Sequence, residues 1–243
     1  MRPLGIVASA RVGAPFAPTG SPALWLDAAD PATFTYSSGV LVSQWSDKSG
    51  NGRHATQGTP AYQPTRNGTQ NGRTTVAFGG QATGQILAGA APVSTAVDNW
   101  TMMVAAKVTA PDGDGCACPW LNGQGNGYGP AFRSVPITKA GWLRGGIAWH
   151  PATGANVGAV WAVVTLRRSA GTTTFWLNGT ADATTWTDTP NAPGSAYRVG
   201  GHDPGGRYRV ECEIGDAIFW GSALSDPDIA TNTNGLKSKW GIA

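Results

Sequence analysis

The sequence is short of charge, cysteine, histidine and long apolar runs, and each shortage removes a class of protein. Charged residues make up 13% of the 243, and the formal net charge is +3. The basic residues are scattered, with Arg167–Arg168 the one adjacent pair. A nucleic-acid binder concentrates Lys and Arg in a stripe or patch, so no nucleic-acid partner is expected. No apolar run approaches the ~18 residues of a membrane helix, so no membrane insertion is expected. Three cysteines, Cys116, Cys118 and Cys212, are an odd number and do not form a disulfide framework. Cys116-x-Cys118 without a second pair is a weak metal signal, and free thiols suit a chain made in a reducing cytosol. Arg2 followed by LGIVASA resembles a signal peptide, but the apolar part is short of the usual ~7–15 residues. The three histidines, His54, His150 and His202, have no partners at ligand or triad spacing.

What the chain has instead is glycine, proline and tryptophan: 35, 17 and 11 residues, within a hydrophobic content of 41%. That content excludes a disordered chain and suits many short strands joined by tight turns. Asn-Gly, in which both residues accept positive φ, occurs at 51–52, 67–68, 71–72, 122–123, 126–127, 178–179 and 234–235. Strand-type segments lie at 24–28, 40–45, 73–78, 99–108, 141–149, 160–168, 172–179, 196–201 and 208–220. In 99–108 both alternating sets are apolar, which predicts a strand buried on both faces. The segment 110–130 reads as a long Gly-rich loop. One helix is predicted near the C-terminus. Ser225 caps it, Asp226-Pro227-Asp228 forms its first turn, Ile229, Thr233, Leu236 and Trp240 share a face, and Gly241 ends it. The expected organisation is an N-terminal arm over 1–21, flexible or docked on a partner, followed by one domain over 22–243.

Five segments in order carry a resemblance. LWLDAADPATFTY with VSQWSDKSGNGRHATQ, then NGRTTVAFGG, NWTMMVAAKV, VWAVVTLRRSAGTTTFWLNG and IGDAIFWGSALSDPDI with LKSKWGI are similar to the LamG-like, concanavalin A-like lectin–glucanase domains. The resemblance implies an all-β, two-sheet antiparallel jelly-roll sandwich with a short C-terminal helix. Domains of this subtype occur in bacterial surface proteins and tailed-phage virion proteins. In related jelly rolls a calcium ion sits where an Asp-x-Ser-Gly-Asn loop meets an acidic residue of the last strand. Asp47, Ser49 and Asn51 match that loop, and Asp216 stands where the family usually has Glu, so calcium is the candidate cofactor.

Glu211-x-Glu213-x-x-Asp216 has the spacing of the laminarinase-type motif, with the residue types exchanged, and no residue is assigned a catalytic role. A bulge at Gly215 would put Asp216 on the face of Glu211 and Glu213. Aromatic faces stack on sugar rings while amides donate and accept, which makes Trp120 and Tyr128, with Asn122 and Asn126, candidate glycan or interface residues. Trp149 at a strand end and Trp186 in the polar loop TTWTDTP join them. Trp25, Trp45, Trp161, Trp176, Trp220 and Trp240 are expected in the core, and His54 at the surface or hydrogen-bonded. The sequence therefore points to a non-enzymatic virion structural protein of a phage, a capsid decoration, head fibre or tail component. It would be made in the host cytoplasm, held to other virion proteins by its arm, oligomeric on the particle, and able to bind host-surface glycans. The alternatives are a bacterial carbohydrate-binding module or laminarinase-type glycosidase, and a cementing protein without a glycan ligand.

Overall fold

The computed structural model describes residues 15–92, 98–110, 120–122, 128–133, 139–144, 148–156, 159–187, 196–201 and 211–243; between 110 and 156 the description is of backbone alone. Within them the chain is all-β. The strands are β1 (Leu24–Asp27), β2 (Phe34–Ser38), β3 (Leu41–Trp45), β4 (Ala55–Thr56), β5 (Thr65–Gln70), β6 (Arg73–Gly79), β7 (Leu87–Ala90), β8 (Trp100–Ala110) and β9 (Trp120–Asn122). They continue as β10 (Tyr128–Arg133), β11 (Lys139–Arg144), β12 (Ala148–Asn156), β13 (Trp161–Ser169), β14 (Thr172–Leu177), β15 (Thr180–Thr187), β16 (Ala196–Val199) and β17 (Glu211–Trp220). Two helices complete the set: the single turn α1 (Gly80–Thr83) and the C-terminal α2 (Asp226–Trp240).

Antiparallel ladders join all 17 strands into one curled ribbon. Its path is β15-β14-β13-β8-β17-β6-β5-β3-β4-β7-β16-β9-β10-β11-β12, with β1 beside β6 on the edge of β17 and β2 on the far side of β3. The last strand, β12, returns against β15, which closes the ribbon into a two-layer sandwich. The doubly apolar reading of 99–108 is explained by the position of β8, between β13 and β17. Trp100, Met102 and Val104 face the interior of the sandwich. Thr101, Met103 and Ala105 face outward, where α2 lies across β8 and β13. All six are 2% exposed or less. Burying each large apolar side chain contributes roughly 1.5–3 kcal/mol, which makes β8 the spine of the fold.

The C-terminal helix forms as its sequence predicts. Ser225 Oγ accepts from Asp228 N at 3.3 Å, Pro227 sits in the first turn, and Gly241 ends the helix at φ +63°. Ile229, Thr233, Leu236 and Trp240 are buried, and Asn232 and Lys239 are buried with them.

The turns divide by physical cause. Asn71-Gly72 and Asn178-Gly179 are two-residue hairpin turns at positive φ, as is Ala170-Gly171. Asn67-Gly68 and Asn234-Gly235 are not turns. Gly68 lies inside β5, where a Cβ would come within 2.3 Å of Glu213 Oε2. Gly235 lies inside α2, where a Cβ would come within 2.4 Å of the Phe16 ring. Each provides close approach, which a turn signal cannot distinguish from positive φ.

Several expectations shift. The expected loop over 110–130 contains β9 and β10, and 111–119 and 123–127 lie outside the described residues. The expected strand 141–149 is two strands, β11 and β12, paired antiparallel. Trp186 is not in a loop: it lies in β15 opposite Thr173, half-buried against the core. The alternation Thr184, Trp186 inward and Thr185, Thr187 outward overrides the polar composition of that stretch. Of the expected arm over 1–21, residues 1–14 lie outside the described residues, and from Phe16 the chain packs on its own domain. Phe16 meets Trp25 edge to face at 6.2 Å, Thr19 and Asn232 exchange two hydrogen bonds of 2.9 Å, and Trp220 Nε1 donates to Thr19 O at 2.7 Å.

This docking gives a coupling test. In an isolated helix Gly235→Ala adds about 1 kcal/mol of propensity. Here it is expected to lower the melting temperature and to speed proteolysis in the 15–21 segment. Combined with Phe16→Ala the destabilising effect of the alanine should vanish, the signature of a direct contact.

Candidate functional site

The loop after β3 is organised by one carboxylate. Asp47 Oδ1 accepts from Trp25 N at 3.0 Å and Ser49 N at 2.8 Å. Its Oδ2 accepts from Ser49 Oγ at 2.8 Å and Arg53 N at 3.1 Å. Asn51 Nδ2 donates to Ala23 O at 3.2 Å and Ser49 Oγ at 2.9 Å. His54 is exposed, and its Nδ1 accepts from Asp47 N at 3.1 Å. The loop is thus a hydrogen-bonded staple that ties the end of β3 to the start of β1.

Asp216 lies on the other side of Trp25. A register shift in β17 between Ile214 and Asp216 marks the expected bulge, and Gly215 at its centre lies under the Trp240 ring, 2.4 Å from where a Cβ would be. The bulge turns Asp216 outward under α2, where it is fully buried. Three side chains donate to its carboxylate: Trp25 Nε1 at 2.8 Å, Trp240 Nε1 at 2.6 Å and Lys239 Nζ at 2.8 Å. Lys239 Nζ also bridges to Asp27 Oδ1 at 2.6 Å, Lys48 Nζ to Asp27 Oδ2 at 3.0 Å, and Lys48 Nζ to Asp30 Oδ2 at 2.8 Å. The result is a chain of alternating charge, Asp216–Lys239–Asp27–Lys48–Asp30, running from the buried sheet to the surface. Burial pushes the Asp216 carboxyl up to about 6, against the pull of the Lys239 ammonium, and the Asp27 charge adds to the rise. At the outer end the Lys48 hydrogen bond holds Asp30 below the usual carboxylate range.

The four residues matched to a calcium loop are therefore not gathered around one point. Asp47 and Asp216 meet through Trp25, the first on its backbone and the second on its indole. The oxygens of Asp216 face an ammonium and two N–H groups. A calcium ion needs six to eight oxygens, whereas the space around the Asp216 oxygens is taken by the Lys239 ammonium and the two indole N–H groups. These atoms do not fit the ion, and among the described residues no cluster of three or more His, Cys, Asp or Glu could hold a metal.

The carboxylates of the laminarinase-like spacing are also separated by their partners. Glu213 is ion-paired to Lys107 at 2.6 Å and accepts from Thr75 Oγ1 at 2.7 Å. Asp216 is locked under the helix. Glu211 is exposed at the start of β17 and has no hydrogen-bond or ion-pair partner among the described residues.

Where β6, β8 and β17 come together near Glu211, a cleft of about 290 Å³ opens. Thr65, Thr83, Thr109, Gln85 and Glu211 provide its polar lining and Phe78 an apolar part. Cys212 also borders it; burial first, then the charges of Glu213 and Glu211, push its thiol up, so it stays protonated and unreactive. None of these residues was singled out as a binding residue from the sequence. The available signal was the place of Glu211 in the laminarinase-like spacing; tertiary contacts add that Glu213 and Asp216 are paired and that Glu211 has no partner among the described residues.

Of the expected glycan residues, Trp120 and Asn122 bound β9, Tyr128 opens β10 and Trp149 lies in β12, all with side chains outside the description, as is Asn126. Tyr128 pairs with Asn122 across the β9–β10 ladder, so those two share a neighbourhood.

No protein-family model and no curated protein sequence matches the chain. Solved structures do match. The binding domain of botulinum neurotoxin serotype G superposes with a TM-score of 0.63 at 11% identity, over 90% of this chain and 54% of that one. The ligand-binding domain of botulinum neurotoxin serotype D, solved with N-acetylneuraminic acid, superposes with a TM-score of 0.59 at 13% identity, over 88% of this chain and 51% of that one. The sialidase of Trypanosoma rangeli, solved with the inhibitor DANA, gives 0.56 at 14% identity, over 85% of this chain and 32% of that one. The chain spans about half the length of the toxin domains and a third of the sialidase. At such identities the likeness is one of fold: an antiparallel β-sandwich of the kind used by these binding domains.

Two predictions test the charge chain. Lys239→Met leaves Asp27 and Asp216 facing each other without a counter-ion and should cost about 3–5 kcal/mol in urea unfolding. Asp216 acts on the pH profile in the opposite sense from a surface acid. Its native pKa lies above the ordinary 3.8, so its contribution is fully present below that value and is lost as pH rises through about 6. Asp216→Asn should therefore flatten stability between about pH 4 and 6 relative to the native chain. Parallel profiles would contradict the assignment.

Proposed function

We propose that this protein is a non-enzymatic glycan-binding β-sandwich. The observation that carries the reading is the match of nearly the whole chain to toxin binding domains, one solved with a sugar acid in place. The paired or buried state of Glu213 and Asp216 favours binding over hydrolysis. A retaining glycosidase needs two opposed carboxyls about 5–5.5 Å apart with free oxygens. The finer reading is a phage virion component, a capsid decoration, head fibre or tail protein. It rests on the LamG-like sequence resemblance and on the N-terminal arm expected from the sequence, which would hold it to other virion proteins. Among the described residues no helix is long and apolar enough to cross a membrane.

A glycan array is the direct test: specific hits are expected, and a blank array would remove the binding role. Incubation with β-glucans should release no reducing sugar, and release lost in Glu211→Gln would restore the glycosidase reading. Removal of residues 1–14 should abolish attachment to phage particles while leaving the melting temperature unchanged. Undiminished attachment would separate the arm from any virion role.

A further inference from the structure

The cleft bounded by β6, β8 and β17 has a composition that selects among sugars. We infer that it binds a single neutral pyranose ring, through Glu211, and that it rejects sugar acids. The inference rests on the glycan-binding reading and gives it a place and a ligand class.

Three observations carry it. The first is chemical complementarity. Sugar hydroxyls both donate and accept, and the cleft offers a carboxylate acceptor in Glu211, acceptor hydroxyls in Thr65 and Thr83, whose protons are given to Asn67 Oδ1 and Gly80 O, the Thr109 hydroxyl, and the partly exposed methyl of Ala77 for a C–H face. At about 290 Å³ the cleft lies at the small end of the ~300–1,000 Å³ range of ligand pockets, which suits one ring and not an extended chain.

The second is charge. The neighbouring acid of β17, Glu213, is neutralised by Lys107 at 2.6 Å. Glu211 has no such partner among the described residues, so among them its negative charge stands uncompensated in the cleft. A sugar carboxylate entering it would meet a like charge, whereas a neutral ring gains a charge-assisted hydrogen bond.

The third is preorganisation. Gly79 N donates to Gln85 Oε1 at 2.6 Å, which fixes the carboxamide and leaves its NH2 as a donor. Thr83 Oγ1 donates to Gly80 O at 3.3 Å, so that hydroxyl keeps its lone pairs for a ligand. Gly79 permits this arrangement, since a Cβ there would come within 2.6 Å of Thr83 Cγ2. The single turn α1 and the connection after it thus hold their polar groups in place before any ligand arrives, which lowers the entropic cost of binding.

The test is a titration followed by amide chemical shifts on the full chain. The probes are the methyl α-glycosides of glucose, galactose and mannose, and N-acetylneuraminic acid, each taken into the millimolar range. At least one neutral glycoside should move the amides of Gly79, Gln85 and Cys212, and N-acetylneuraminic acid should not. Glu211→Gln should weaken the neutral glycoside at least five-fold, with the rest of the amide spectrum unchanged because Glu211 is exposed. Thr83→Val serves as an independent variant and should weaken binding in the same assay. A neutral glycoside that moves amides elsewhere, and is indifferent to both variants, overturns the cleft and leaves glycan binding intact. Preference of the cleft for N-acetylneuraminic acid overturns the charge argument. Absence of any shift with these probes, together with a blank glycan array, overturns the glycan reading itself and this inference with it.

Discussion

The ammonium of Lys239, set between Asp27 of β1 and Asp216 of β17, is the interaction on which the rest of the structure leans. It is the point at which the last helix is fastened to the sheet. Around it two indoles, Trp25 and Trp240, spend their N–H groups on the same carboxylate, and Trp161 stacks on Trp240 at 5.8 Å with planes 6° apart. A buried charge is tolerable only if it is paired and its remaining hydrogen-bonding capacity is met, and both conditions hold here. The Gly215 bulge, the Asp47 staple and the docking of Phe16 and Thr19 on α2 all serve to bring the members of this cluster together.

With the outer face of β8 closed by α2 from Thr101 to Ala105, that part of the face is not available to a ligand. The acids that could have supported chemistry are drawn into structural work, Asp216 under the helix and Glu213 with Lys107. Among the described residues a cleft remains open beside Glu211, which has no partner among them. A β-sandwich of this kind places binding groups at strand ends and loops because its strands are committed to the core. The fold likeness to toxin binding domains is consistent with such an arrangement without dictating where on the surface the ligand sits.

Much of the architecture is legible from local signals. The strand set around β8, the capped helix and the two Asn-Gly hairpins follow from periodicity and backbone preference. Short strands such as β4 and polar ones such as β5 and β15 do not, because their pairing partners supply the hydrogen bonds that their own sequences do not announce. Trp186 illustrates the limit: its neighbours are polar, yet alternation on a paired strand turns it inward. The candidate site is less legible than the fold. Asp47 and Asp216 were recognisable as acids in a meaningful frame. Whether Asp216 meets a metal or a lysine depends on Lys239, 23 residues away in the chain and invisible as a partner until α2 docks.

By itself the sequence determined the class of fold, the identity of the central strand and the ends of the last helix, since each depends on contacts within a few residues. Only the tertiary structure decided what the carboxylates do. Their protonation and their partners are set by burial and by charges brought from distant parts of the chain. Asp216 is thereby a structural acid, Glu213 a paired one, and Glu211 an exposed one with no partner among the described residues.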